Sequence, residues 1–209
     1  MKKRQGKWLP VLPERIVTDR LRTTQKTTGL QGPIDDAFTG PFLCVQGTGK
    51  PWHDTTQQYA AAELQRFSDD WSKFLRGNLP VKRDDQVTPE DIATKHLILF
   101  GDPASNSLIA QVLPGLPFGW TKDRITWDDR NYDAAEHVPV LIYPSPLNAE
   151  RYVVLNSGHT FRAVDFEGTN ARLYPRLGDH ALLKPQAGKK EPVVVSAGLF
   201  DDFWRMTKQ

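Results

Sequence analysis

The sequence predicts an α/β fold: a three-layer, mostly parallel Rossmann- or flavodoxin-like sheet carrying an antiparallel hairpin over 139–156. Three observations lead there. Phe42–Val45 and His96–Gly101 are apolar runs of the kind found in strands buried on both faces. Between them lies a long stretch with helical apolar spacing, so a parallel pairing of the two runs is natural. Two further runs, Pro139–Tyr143 and Arg151–Asn156, are joined by only seven residues, Pro144–Glu150. That connection is too short for a parallel crossover and specifies a hairpin.

Residues 1–30 are expected to form an extended arm or edge strand, and 31–209 a single α/β domain. Within the arm, Gly6–Leu12 reads as a short strand, which Pro10 and Pro13 confine to an edge. Gly29–Phe38 is an irregular loop by its glycine and proline content. Gln46–Pro51 is a glycine-rich turn. The helix after it should span about Thr55–Arg76, with Ala60, Leu64, Phe67, Trp71, Phe74 and Leu75 on its apolar stripe. Asp54 with Gln57 offers a capping box, and Gly77 a stop. Thr88-Pro89-Glu90-Asp91 opens a short helix with a threonine cap and proline at its first position. Asp102–Asn106 leads into a helix carrying Leu108, Ile109, Val112 and Leu113, stopped by Pro114. Arg124–Trp127, Ala181–Leu183 and Val193–Val195 add strands.

Composition bounds the function. The 209 residues are 39% hydrophobic and 25% charged, with a net charge of +2. That balance gives no reason to expect nucleic acid or a membrane surface as partner. No apolar stretch approaches the ~18 residues of a membrane span, and no signal peptide is visible. The single cysteine, Cys44, excludes an internal disulfide and sits in an apolar run as an inert thiol.

Open α/β sheets seat ligands beyond the carboxyl ends of their strands. Here that rim carries Gly47–Lys50, Asp102–Asn106 and Asn156–His159. Gly47-Thr48-Gly49-Lys50 departs from the Walker spacing and lacks the third glycine of a dinucleotide fingerprint, so it reads as a tight turn and no cofactor is expected. No Gly-x-Ser-x-Gly elbow exists. Asn156-Ser157-Gly158-His159 at a strand end is the nearest approach to one, and local backbone bonding with Gly158 in a turn conformation is its simpler reading. The five histidines show no metal spacing. The paired aspartates (Asp35–Asp36 and Asp128–Asp129 among them) point different ways and read as caps and turns. The six tryptophans offer core packing or, at element ends, a glycan platform. The candidate binding rim is therefore Asp102, Ser105, Asn106, Asn156, Ser157 and His159, with no catalytic or metal residue assigned. If the strands ending at Gly101 and Asn156 are parallel neighbours, ~4.8 Å apart, their turns adjoin. They then form either a mutual lock or a small polar pocket.

Four strings carry a resemblance: Gly29–Phe38, Leu99–Asn106, Pro139–Asn148 and Arg151–Phe161. Together they resemble the C-terminal region of large bacterial, planctomycete-type serine peptidases of the prolyl oligopeptidase family, over about Gly29–Trp204. In that family the catalytic α/β-hydrolase domain lies N-terminal to this region, so no catalytic residue carries over. The resemblance implies a non-catalytic accessory domain of a serine hydrolase, partnered by the hydrolase domain of the same parent chain and exported to the periplasm or beyond. A glycan- or peptide-binding module and an independent hydrolase of another type remain alternatives.

Overall fold

The computed structural model describes residues 2–4, 7–9, 25–168, 174–189 and 191–207. Strands β1 (Lys2–Arg4) and β2 (Lys7–Leu9) pair as an antiparallel ribbon. The extended continuation expected through Leu12, and the side chain of Trp8, lie outside the described residues.

Next come β3 (Phe42–Gln46), α1 (Asp54–Asp70), β4 (Val81–Arg83), α2 (Pro89–Thr94), β5 (His96–Phe100) and α3 (Ser107–Val112). They are followed by β6 (Gly119–Trp120), β7 (Arg124–Trp127), β8 (Arg130–Asp133), β9 (Val138–Ser145), β10 (Asn148–Leu155), β11 (His180–Lys184) and β12 (Val193–Gly198). Seven strands form one mixed sheet in the order β12-β11-β9-β10-β5-β3-β4. On one side β4, β3, β5 and β10 run parallel; on the other, β9, β11 and β12 pair antiparallel. β3 and β5 are direct parallel neighbours, with Cys44 opposite Ile98. β9 and β10 form the hairpin that the short connection requires.

The sheet separates two apolar layers. On one face Ile98, Ile142 and Val154 meet Ala60 and Phe67 of α1 and the 3-10 turn Ile34–Phe38. On the other, Leu99, Leu141 and Leu155 meet Ile109 and Val112 of α3 and Trp120, Ile125 and Trp127. Those last residues belong to a separate three-stranded antiparallel sheet, β6-β7-β8. Only β7 is legible in the sequence. Of the other two, β6 is only two residues long and β8 is mostly polar, so neither shows a strand pattern of its own; each pairs antiparallel with β7. Asp128 and Asp129 make the β7–β8 turn with left-handed φ of 47° and 60°.

The long helix departs from expectation at both ends. Asp54 lies inside its first turn rather than capping it, and the preceding His53 makes no side-chain cap. The α-helix stops at Asp70 and passes into one π turn, Trp71–Leu75. Arg76, with φ 56°, takes the left-handed capping position, one residue before the Gly77 expected to stop the helix. The wider turn breaks the apolar stripe. Phe74 stacks on Phe166 at 4.4 Å, and Leu75 is 51% exposed instead of joining the core. By contrast, α2 has the expected start: Thr88 accepts from Asp91 N, and the Asp91 carboxylate accepts from Thr88 N.

Trp120, Trp127 and Trp204 are buried, and Trp52 and Trp71 half-buried, so these rings pack rather than present platforms. Burial pushes the Cys44 thiol up, away from reactive thiolate.

Candidate functional site

Parallel registers place the carboxyl ends of β3, β5 and β10 on one rim. The sheet grows outward in both directions from β3, with β4 on one side and β5 on the other. The crevice between β3 and β5 is thus the position where such sheets seat ligands. Asn106 closes it. Its Nδ2 donates to Val45 O and Phe100 O, each at 3.1 Å, joining the two strand ends. Its Oδ1 accepts from Leu108 N and Ile109 N, capping α3. Ser107 N donates to Asp84 Oδ2 at 2.8 Å, so the first three amides of α3 all have protein acceptors. A phosphate there would find no free donors.

Asp102 completes the closure. Its carboxylate accepts from Trp52 N at 2.7 Å, Ser105 N at 2.8 Å and Ala104 N at 3.0 Å. The Ser105 hydroxyl accepts from Asp102 N and donates to Asp102 O. The glycine turn lies directly on this loop, with Gly49 N donating to Ser105 O at 2.8 Å. A Cβ on Gly47 would stand 2.1 Å from Ser105 O, and one on Gly49 2.3 Å from Ala104 O. The glycines therefore serve loop-on-loop packing. Gly47→Ala is expected to lose about 1–3 kcal/mol of stability, as overpacking does; urea unfolding measures it, and an unchanged midpoint would contradict the close approach.

Asn156 adjoins from β10. Its Oδ1 accepts from Gly101 N at 2.8 Å and its Nδ2 donates to Gly101 O at 3.0 Å. The amide thus continues the β10–β5 ladder by one rung. Asn156 itself holds a left-handed conformation, with φ 51°, whereas Gly158, expected in a turn conformation, has no positive φ. Gly158 is needed for a different reason: a Cβ there would meet Phe67 Cγ at 2.4 Å. The Asp102 and Asn156 turns are neighbours, and the arrangement is a lock of mutual bonds.

Ser157 and His159 do not join that group. The chain turns after Asn156 toward α1. The Ser157 hydroxyl donates to Gly158 O at 2.8 Å, while neither ring nitrogen of His159 makes a hydrogen bond of regular geometry. Ser157 and His159 are therefore not coupled as nucleophile and base. His159 lies edge-on to Phe67 at 5.1 Å, with Phe161 and Phe166 around it. Burial, reinforced by the charge of Arg66, pulls its pKa down to about 4.

The sequence reading missed a polar network on α1. Arg66 donates to Glu63 through Nε at 2.9 Å and Nη2 at 2.6 Å, and to Asp70 at 2.8 Å. It also donates to His159 O at 2.8 Å and Phe161 O at 3.2 Å. Burial opposes its charge, yet the Glu63 and Asp70 carboxylates outweigh burial, and Arg66 holds its proton more tightly than a free guanidinium. Asp35 accepts from both Thr160 N and the Thr160 hydroxyl. Burial nevertheless raises its carboxyl above the ordinary range. Asp36 instead accepts from the Tyr152 hydroxyl, so the adjacent carboxylates diverge. The only signal in the sequence was the Glu63, Arg66, Asp70 spacing of three and four along a helix. It is the pattern of a solvated face as much as of a buried one.

His96 also has a structural place: Nδ1 accepts from Tyr152 N at 2.9 Å, and burial lowers its proton affinity. A groove of about 360 Å3 runs between α1 and the 185–192 loop, lined by Gln58, Tyr59, Pro185, Gln186 and Lys189 among others. None of the six rim residues lines it. Ser157 lines a cavity of about 40 Å3, beside Glu63, Thr160 and Arg162, where there is room for little more than water. Among the described residues no cluster of histidine, cysteine and carboxylate side chains is placed to hold a metal ion. No helix of the described residues is long and apolar enough to cross a membrane. Comparison with family models, with curated proteins and with solved structures gives no match.

Proposed function

We propose that this chain is a non-catalytic accessory module of a larger exported serine hydrolase of the prolyl oligopeptidase type, packing on or positioning the catalytic domain. One observation carries the reading. The polar residues at the ligand-seating rim, Asp102, Ser105, Asn106 and Asn156, are engaged with each other and with nearby backbone. A rim locked in this way suits a rigid scaffold better than a reaction centre, which needs convergent groups left for substrate. The resemblance of the four sequence strings to the C-terminal region of such peptidases supplies the partner, the α/β-hydrolase domain of the same parent chain. The finer fold reading belongs here too. Numbered along the chain, the parallel strands β4-β3-β5-β10 fall in the order 2-1-3-4, which supports a flavodoxin-like arrangement.

The test is direct. The purified chain is incubated with p-nitrophenyl esters and chromogenic peptides, alongside Ser157→Ala. Neither protein is expected to release product above the buffer rate. Turnover by the native chain that Ser157→Ala abolishes would overturn the proposal in favour of an independent hydrolase.

A further inference from the structure

His159 is 4% exposed, and neither ring nitrogen makes a hydrogen bond of regular geometry, the nearest polar groups being the Phe161 backbone and the Asp70 carboxylate. Imidazole in a core normally has at least one bond. Here the ring is treated as an aromatic, enclosed by Phe67, Phe161 and Phe166. Just outside that cage the surroundings are charged. On α1 stand Glu63, Arg66 and Asp70, with an Asp70 oxygen 4.0 Å from His159 Nε2. On its own loop Arg162 stands beside it, and Asp35 of the Ile34–Phe38 turn is bonded to Thr160. Both α1 carboxylates are already held by Arg66. That same guanidinium binds the carbonyls of His159 and Phe161, and so ties the segment to the helix.

A proton on His159 would put a second positive charge beside Arg66 inside an apolar cage. The imidazolium would compete with Arg66 for Asp70, whose Oδ2 already lies 4.0 Å from Nε2, or would leave the cage. Either movement loosens the bonds that hold 159–161 on α1. We propose that the 157–168 segment is an acid-sensitive latch, closed on α1 while His159 is neutral and released when His159 takes a proton. The inference does not depend on the accessory-module reading.

The sign follows from linkage. The closed form holds the proton less well, at about 4 against 6.5 for a free imidazole. The contribution of the neutral ring to closure is therefore fully present above pH 6.5 and weakens as pH falls from there toward 4. At pH 5 the opening constant should be about 30-fold larger than at pH 7.5. His96 and His180 are also buried with lowered proton affinity, but they stand on β5 and β11. Their protonation weakens the sheet, not this segment in particular.

Hydrogen exchange read by mass spectrometry, corrected for intrinsic rate, compares pH 7.5 and pH 5.0 for the native chain and His159→Phe. In the native chain, peptides covering 157–168 and the C-terminal half of α1 are expected to lose protection by about 30-fold at pH 5, ahead of β3, β5 and β10. His159→Phe, which keeps the aromatic cage and removes the titration, is expected to abolish that selective response. Equal loss across the chain, or an unchanged response in the variant, overturns the latch. A second readout needs no variant: the His159 ring, followed by NMR, is expected to titrate near 4. Titration at 6.5 or above would also overturn it.

Discussion

Asn106→Ala is expected to lower the unfolding free energy by about 3–5 kcal/mol, summing a lost helix cap and two deprived carbonyls. The side chain is fully buried and makes four bonds, to Val45 O, Phe100 O, Leu108 N and Ile109 N. Alanine removes the partner of all four groups at once. Asn106→Asp is the informative companion. It keeps the cap but points a carboxylate at two carbonyl oxygens, and should be at least as damaging as alanine. Urea unfolding followed by circular dichroism measures both. A loss below about 1 kcal/mol for the alanine variant, typical of a surface substitution, would mean that Asn106 does not hold the β3 and β5 ends together.

Arg66→Met is expected to cost a similar amount, about 3–5 kcal/mol, because breaking a buried ion pair strands its partners. Methionine can fill much of the aliphatic volume, so the loss reports charge and hydrogen bonding more than packing. Glu63 and Asp70 would remain buried without a cation, and the carbonyls of His159 and Phe161 without a donor. The triple replacement Glu63→Gln, Arg66→Met and Asp70→Asn tests the interpretation. With no charge left to strand, it is expected to be more stable than Arg66→Met alone. If it is worse, the network is contributing net stabilisation beyond mutual neutralisation.

These two sites divide what was legible in the sequence from what was not. The apolar runs at 42–45 and 96–100 determined the buried strands, since alternation disappears when both faces are covered. The short connection determined the hairpin, which the structure closes through Pro146 and Leu147. Thr88 with Asp91 determined where α2 starts, because a cap is a contact between near neighbours in the chain. Parallel strand direction was enough to bring Asp102 and Asn156 to one rim.

Tertiary structure alone decided whether those rim groups were free. Asn106 reaches Val45 across 61 positions, and Arg66 reaches His159 across 93. Local sequence carries no record of such partners. The same charged residues on α1 would read identically on a solvated face, and Ser157 and His159 would read identically on either side of the rim. Secondary structure follows from periodicity and local bonding, so a single segment can announce it. The availability of a polar side chain depends on what distant backbone comes to lie against it, and only the packed fold supplies that.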